Sequence, residues 1–377
     1  MGIIRRALKV ALDEGIGTLI NIGLSEASRV LKGITRRAWG KLDNRAVEVL
    51  ADEEVEKRLI ANRKTILYVA RKYDYGNENW GLSNQHYIFY NTLLNMDCSL
   101  IYFDYGRLTE KYGPNKMSRI LRETVYYYRP DILFNNYSYD WIDHGILREI
   151  SNELPTKTVI YLFDDHFLYE KSRPTWELFN LVATTDPESY DRRKQEGFAN
   201  VFLTKCACNP LFFKEMDLPR TYDVTFAGRC YGDRRDFVNS LRKEGVDVQA
   251  FGQRWKNSSR ITQAEMIRVF NQSKISLSMS TASSGGRFQI KGRDLEIPCS
   301  GSLLVTKDTR EIAEYFIPGE EIVTYQDVGD AAEKIKFYLN NADEREKIAK
   351  KGYDRVIKEH TYEKRFLEIF EFALKTT

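Results

Sequence analysis

The stretch RTYDVTFAGRCYGDRRDFVNSLRKEG, residues 220–245, decides the fold. It runs from a short apolar strand, YDVTFA, through a glycine-containing turn into an amphipathic helical pattern. The same order begins much earlier, at TILYVA (65–70), which opens onto the polar loop RKYDYGNENWGLSNQ and a helix-like YIFYNTLLNM. Residue 220 is therefore where a theme restarts. Upstream of it, SLIYFDY, DILFNN (131–136), TVIYLF (158–163), LVATT (181–185) and VFLTKC (201–206) keep the strand rhythm. Downstream, VDVQAFG, ISLSMS, GSLLVT and EIVTYQ continue it, with amphipathic helices between them and at 343–374. Strands alternating with helices make βαβ units on a mostly parallel sheet.

The expected architecture is α/β, with two Rossmann-like doubly wound domains facing a cleft, since ligands of such sheets lie outside the C-terminal strand ends. The proline-bearing segment NPLFFKEMDLPRTYD (209–223) marks the boundary. We expect a basic helical extension over 1–64, a first domain over 65–215, a second over 216–360 and a terminal helix over 361–377. Within 1–41, eight Lys/Arg face three acids, and Ile4, Leu8, Ala11, Leu12, Leu19 and Ile22 recur at helical spacing. Two readings stand: an interfacial helix on anionic lipid, or an arm packed on the body with solvated charges.

Composition narrows the class. At 377 residues the chain exceeds one core, and 42% hydrophobic content supports packed domains. A net charge of +3 does not point to nucleic acid as a partner. Five cysteines with no paired framework fit a reducing compartment, and the scattered histidines do not form a zinc pattern. No apolar run reaches the roughly 18 residues of a membrane span. The expected location is the cytoplasm, peripheral at the membrane if residues 1–41 bind it. Neither metal nor cofactor is expected.

The second half carries the densest chemistry. Gly228, Arg229 and Tyr231 follow a strand, and Gly232 precedes a helix; a turn of this kind offers backbone N–H groups and a helix N-terminus to phosphate. The plainer reading is a βα turn that needs glycine for its geometry. It is neither G-x-G-x-x-G nor a P-loop. Further on, Ser284 and Gly285 sit in a small-residue loop after ISLSMS, followed by Lys291, Arg293 and Glu296. Cations neutralise a diphosphate while a carboxylate accepts hydrogen bonds from a diol, so together they fit a nucleotide sugar. The plainer readings are a solvated loop and an i,i+3 pair of Arg293 with Glu296.

The phrases FAGRCYGDR, KGRDLEIPCSGSLLVT, IPGEEIV and HTYEKRF resemble the C-terminal half of the CgeB-like glycosyltransferases, within the glycosyl transferases group 1 set of GT-B enzymes. The resemblance covers about residues 220–370; VIYLFDDHF and TTDPESY match only in pattern. It implies sugar transfer from a UDP-, GDP- or dTDP-sugar to a glycan or lipid-linked acceptor, with retention at the anomeric carbon. It also implies that Glu296 contacts the donor ribose. The family's partner acid eight residues earlier is replaced by Phe288, which shifts the phosphate role toward Lys291 and Arg293.

The first half is expected to hold the acceptor. Tyr75, Asn79 and Trp80 combine aromatic faces with an amide, the residue types that read sugars; a surface loop is the alternative. Asp164, Asp165 and His166 follow a strand, and Asp165 and His166 are the candidate bases, with a helix N-cap as the competing role. His144 and His86 are weaker candidates. Rival functions are a same-fold epimerase or phosphorylase, and a non-catalytic nucleotide-sugar-binding protein.

Overall fold

The computed structural model describes residues 55–136, 141–256, 258–280 and 288–375. The segment 1–41, and Ser284 and Gly285, lie outside the described residues. The first sheet holds β1 (Val55–Arg58), β2 (Thr65–Ala70), β3 (Ser99–Asp104), β4 (Ile132–Asn136), β5 (Lys157–Leu162), β6 (Leu181–Thr184) and β7 (Val201–Leu203), in the order β1-β3-β2-β4-β5-β6-β7. All its pairings are parallel except β1 with β3.

Strand β1 corrects the expectation of a helical extension reaching residue 64. Its sequence, VEKR, carries no apolar alternation, so nothing in it reads as a strand. Its charges find local partners: Arg58 donates to the carbonyls of Met96 and Cys98, each at 2.8 Å, and Glu56 accepts from Lys72 at 2.9 Å. A charged edge strand also blocks edge-to-edge pairing.

The inner strands are buried along nearly their whole length, and mostly apolar, because helices cover both faces. On one face Tyr68, Tyr102, Phe134 and Tyr161 are buried; on the other, Leu67, Val69, Ile101, Phe103 and Leu133. The second sheet holds β8 (Tyr222–Ala227), β9 (Val248–Phe251), β10 (Ser273–Ser278), β11 (Leu303–Lys307) and β12 (Val323–Tyr325), all parallel, in the order β12-β11-β10-β8-β9.

Setting β1 aside, both sheets reverse direction in the same way. The first strand lies between the second and the third, so the switch points fall between β2 and β4 and between β8 and β10. Crevices form at such points, beyond the C-terminal strand ends. These ends are the loops after Ala70 and Asn136 in one domain, and after Ala227 and Ser278 in the other.

The chain crosses between domains twice, and the crossings are hydrogen-bonded together. Cys208 donates its amide to the carbonyl of His360 at 2.9 Å, and Tyr362 returns a bond to Cys208 at 3.1 Å. His360 is buried, its Nε2 lying 3.0 Å from the Tyr315 carbonyl and its Nδ1 2.9 Å from Arg365. Burial pushes the imidazole down to about 4, so it is neutral. Beyond it the helix Tyr362–Lys375 lies on the first sheet, with Phe366 4.8 Å from the Phe89 ring and 5.2 Å from Phe134.

Phe366 is fully buried at this crossing. Phe366→Ala is expected to lower stability by about 3–5 kcal/mol, read as a shift in urea midpoint. A change below about 1 kcal/mol would show that the crossing helix contributes little.

Candidate functional site

The second domain's switch point is built around a close approach. Gly228 directly follows β8, and a Cβ placed on it would lie 2.8 Å from the nearest guanidinium nitrogen of Arg293. A side chain there would make the guanidinium shift. The Gly228 amide donates to the Phe251 carbonyl at 2.8 Å, and its own carbonyl accepts from Trp255 Nε1 at 2.7 Å. Cys230 likewise donates to Gln253 at 2.9 Å. These N–H groups are taken up by the end of β9 and the segment that follows it, which corrects the expectation that the Gly228 amide cradles phosphate. The glycine seats a cation instead.

Arg293 rests on Gly228 and over the Phe226 ring at 5.4 Å. Its Nε is buried without a partner, and no carboxylate among the described residues forms an ion pair with it. Beside it is a second guanidinium. Arg234, at 3% exposure, opens the helix Arg234–Lys243. It donates to the carbonyls of Arg229 at 2.9 Å and Met279 at 2.7 Å, and to the Tyr231 hydroxyl at 2.8 Å. Burial, and then the neighbouring Arg293 charge, bring Arg234 down to about 10. Arg234 thus ties the end of β8 to the end of β10 across the crevice. Arg229 itself is exposed at the rim, and Tyr231 lies under Arg234, 3.9 Å from its guanidinium carbon.

The helix Gly292–Cys299 supplies the rest. Asp294 is buried and structural: it accepts from Ser280 at 2.5 Å and from the Lys291 amide at 2.9 Å, and burial raises its pKa. Glu296 is buried too, but its carboxylate has no hydrogen-bond or ion-pair partner among the described residues. Burial pushes it up to about 7 even though Arg293 pulls the other way. Its Oε1 lies 2.9 Å from where a Cβ on Gly292 would stand, so this glycine admits the carboxylate against the first turn. The i,i+3 ion pair of Arg293 with Glu296 is absent.

The first domain meets this site through Asp164. It precedes the helix Asp165–Ser172 in a left-handed conformation, φ 47°, and its side chain makes no capping bond. That conformation costs a non-glycine residue about 1–2 kcal/mol. The carboxylate instead accepts from Lys291 Nζ across the cleft at 2.5 Å. Lys291 also donates to Gln289 at 2.7 Å.

Asp165 is turned inward, which corrects its expected place in the cleft. At 1% exposure it accepts from both terminal nitrogens of the fully buried Arg193, one at 2.7 Å, and from Thr184 at 2.6 Å. Arg193 in turn lies 4.1 Å from the Trp176 ring. This buried pair fixes the strand end from which Asp164 projects. His166 follows on the same turn, partly buried.

The remaining candidates separate. His86 is packed against Tyr90 at 4.5 Å, and burial lowers its pKa to about 4; it belongs to the core. His144 is exposed at the start of the helix His144–Glu153. Tyr75, Asn79 and Trp80 are exposed on the loop after β2, with the Tyr75 and Trp80 rings edge to face at 5.6 Å. This loop reaches the second domain: Asp74 pairs with Arg260, whose guanidinium lies 5.6 Å from the Trp80 ring, and Asn84 accepts from Gln263. Arg234 escaped sequence reasoning, although an Arg pair directly after a glycine turn was its signal. Among the described residues no cluster of three metal-ligating side chains occurs, and no helix is long and apolar enough to cross a membrane.

Residues 233–371 match a family model described as glycosyl transferase-like. No curated protein matches the chain. Among solved structures, a glycosyltransferase from Rickettsia africae is similar at 13% identity, over 84% of this chain and 100% of that one, with a TM-score of 0.54. Sucrose-phosphate synthase from Thermosynechococcus elongatus shares 15% identity over 82% and 98%, also at 0.54. HepE of Anabaena, solved with UDP-glucose, shares 12% over 82% and 98%, at 0.54. The fold is GT-B.

Two outcomes test the geometry. Gly228→Ala drives a Cβ into the Arg293 guanidinium and is expected to weaken binding of a nucleoside diphosphate about 10-fold or more, the worth of one charge-assisted contact, by titration calorimetry. Affinity equal to that of the parent chain would show that Arg293 does not face the ligand. Because the Glu296 carboxyl is pushed up to about 7, its hydrogen-bond-accepting carboxylate forms as pH rises through that value. Nucleoside affinity is expected to rise from pH 6 to pH 8, and the dependence to flatten in Glu296→Gln. A parent chain indifferent to pH would remove Glu296 from the ligand.

Proposed function

We propose that the chain is a glycosyltransferase, CgeB-like within its group, that moves a sugar from a nucleoside diphosphate onto a glycan or lipid-linked acceptor. The observation that carries this reading is a pair of guanidinium groups with no carboxylate ion-pair partner among the described residues, beside the buried Glu296 carboxyl, at the switch point of the second sheet. A diphosphate supplies the missing negative charge, and a ribose diol supplies hydrogen-bond donors to Glu296. The glycosyl transferase-like match over 233–371, and UDP-glucose in HepE, agree with it.

The reaction breaks the bond from the anomeric carbon to the β-phosphate oxygen and forms one to an acceptor hydroxyl oxygen. Charge develops on the leaving diphosphate, where Arg293 and Lys291 stabilise it while Arg234 holds the crevice in shape. For this Lys291 exchanges its bond with Asp164 for one with phosphate. The Asp164 carboxylate is thereby released at the acceptor side, where it takes the hydroxyl proton. The aromatic loop bearing Tyr75 and Trp80 presents the acceptor. Retention at the anomeric carbon and turnover without a bound metal are part of the proposal.

Arg293→Ala is expected to weaken nucleoside diphosphate binding about 10- to 100-fold while leaving free nucleoside nearly unchanged; equal losses would count against a phosphate role. Asp164→Asn should lower transfer at least about 100-fold with donor affinity held or raised, since Lys291 is no longer tied across the cleft. Chelator should leave the rate unaltered. Donor binding with neither transfer nor hydrolysis would favour the non-catalytic reading, which the replacement of the family acid by Phe288 keeps in view.

A further inference from the structure

A cavity of about 150 Å³ opens between the two domains, beyond the ends of β6, β7 and β11. Its lining mixes apolar side chains, such as Phe288 and Ile290, with the polar groups of Thr204, Gln289, Glu311 and Glu314. Bonds between the domains build its floor. Lys205 donates to the Glu314 carbonyl at 2.9 Å, with its ammonium 5.2 Å from the Tyr315 ring. The Cys206 amide donates to the Tyr315 hydroxyl at 2.9 Å. The cavity is preformed. Thr204 is the group left over within it. Its amide donates to the Thr184 carbonyl at 2.9 Å, yet at 5% exposure its hydroxyl has no hydrogen-bond partner. The carboxylates of Glu311 and Glu314 likewise form no ion pair among the described residues.

The position of the cavity ties it to the acceptor. Strands β5, β6 and β7 are neighbours, so it lies about 5–10 Å to the side of Asp164. Gln289 and Asp164 share the Lys291 ammonium, at 2.7 and 2.5 Å, which joins the cavity to the proposed base by hydrogen bonds. The loop of Tyr75 and Trp80 follows β2, on the other side of Asp164.

We infer that this cavity is a second acceptor subsite, which takes a neutral, hydroxyl-bearing sugar ring next to the unit that reacts at Asp164. The inference rests on the glycosyltransferase reading above and names its acceptor as a glycan of two or more units. A space of about 150 Å³ holds one six-membered ring. Ring hydroxyls donate to the Glu311 and Glu314 carboxylates and exchange a bond with Thr204, while ring C–H surfaces meet Phe288 and Ile290. A phosphate or a uronate brought here meets two carboxylates against the one ammonium of Lys205. Negative units are thereby rejected.

The test is titration of the full chain, with UDP, GDP or dTDP present, against neutral sugars and their anionic counterparts. The panel pairs glucose, galactose, mannose and N-acetylglucosamine with maltose, cellobiose, lactose, mannobiose and diacetylchitobiose, each disaccharide also with one unit oxidised to the uronate. At least one disaccharide is expected to bind about 10-fold tighter than its monosaccharide, the worth of one or two neutral hydrogen bonds. Its uronate form should lose that gain. Thr204→Val should weaken the disaccharide about 3- to 10-fold and leave monosaccharide and nucleotide unchanged. Because the substitution removes a buried hydroxyl that has no partner, the unliganded variant should melt at the parent temperature or above it. That separates a lost contact from a damaged fold. Glu311→Gln should bring the uronate form closer to the neutral one. If nucleotide binds in an Arg293-dependent way but no disaccharide exceeds its monosaccharide, or Thr204→Val leaves the gain intact, the inference is overturned and the glycosyltransferase reading survives. If neither nucleotide nor saccharide binds, both fall.

Discussion

A guanidinium resting on a bare α-carbon organises this molecule. Arg293 reaches the end of β8 in the room left by Gly228, and at Gly252, one strand away, a Cβ would stand 2.6 Å from the Gly228 carbonyl oxygen. These two glycines let β8, β9 and the helix Gly292–Cys299 converge more closely than side chains would permit. Arg234 enters the same space from the helix after β8 and binds the backbone of both strands that flank the crevice. The result is two like charges held side by side. Such an arrangement lowers stability unless something negative occupies the gap.

Much of the fold was legible because it follows from covering both faces of a parallel sheet. Strands such as β2 and β3 are then nearly continuous apolar runs, and the restart at residue 222 marks a second domain. What escaped was whatever depends on contacts distant in sequence. Strand β1 is charged and owes its existence to β3, more than 40 residues on. Asp164 and Asp165 are neighbours with opposite fates, decided by Arg193 and Lys291, which lie 28 and 127 residues away. The sequence names a carboxylate pair after a strand; it does not say which one a buried arginine will claim. Arg234 was hidden by its setting, one cation in the run GDRRDF. Lys291, Arg293 and Glu296 were visible as a candidate cluster, because two cations and a carboxylate fall within six residues at the start of a buried helix.

Contacts across the cleft divide into two kinds. Near the linker they are apolar or backbone bonds, such as Cys208 with His360 and Tyr362, and they are shielded from water. At the mouth they are ion pairs between partly exposed groups, Lys291 with Asp164 and Arg260 with Asp74. Exposed pairs contribute little and are screened by salt. The crossing side is therefore held more firmly than the mouth.

The cost of the site explains its form. Glu296 would be easier to bury as glutamine, and Arg293 and Arg234 as apolar residues, since neither guanidinium has a carboxylate partner among the described residues. Retained together, they keep a crevice that is electrically incomplete. The opposite sign is not supplied by Asp294, which is hydrogen-bonded to Ser280 and the Lys291 amide. Nor is it supplied by Asp164, whose carboxylate accepts from Lys291, from the other domain. An anion from solution is the remaining way to balance it, and an anion carrying hydroxyl groups satisfies Glu296 as well. Local rules broken without internal compensation mark a candidate functional site, and the proposed nucleotide-sugar donor carries both the negative charge and the hydroxyl groups that these residues lack.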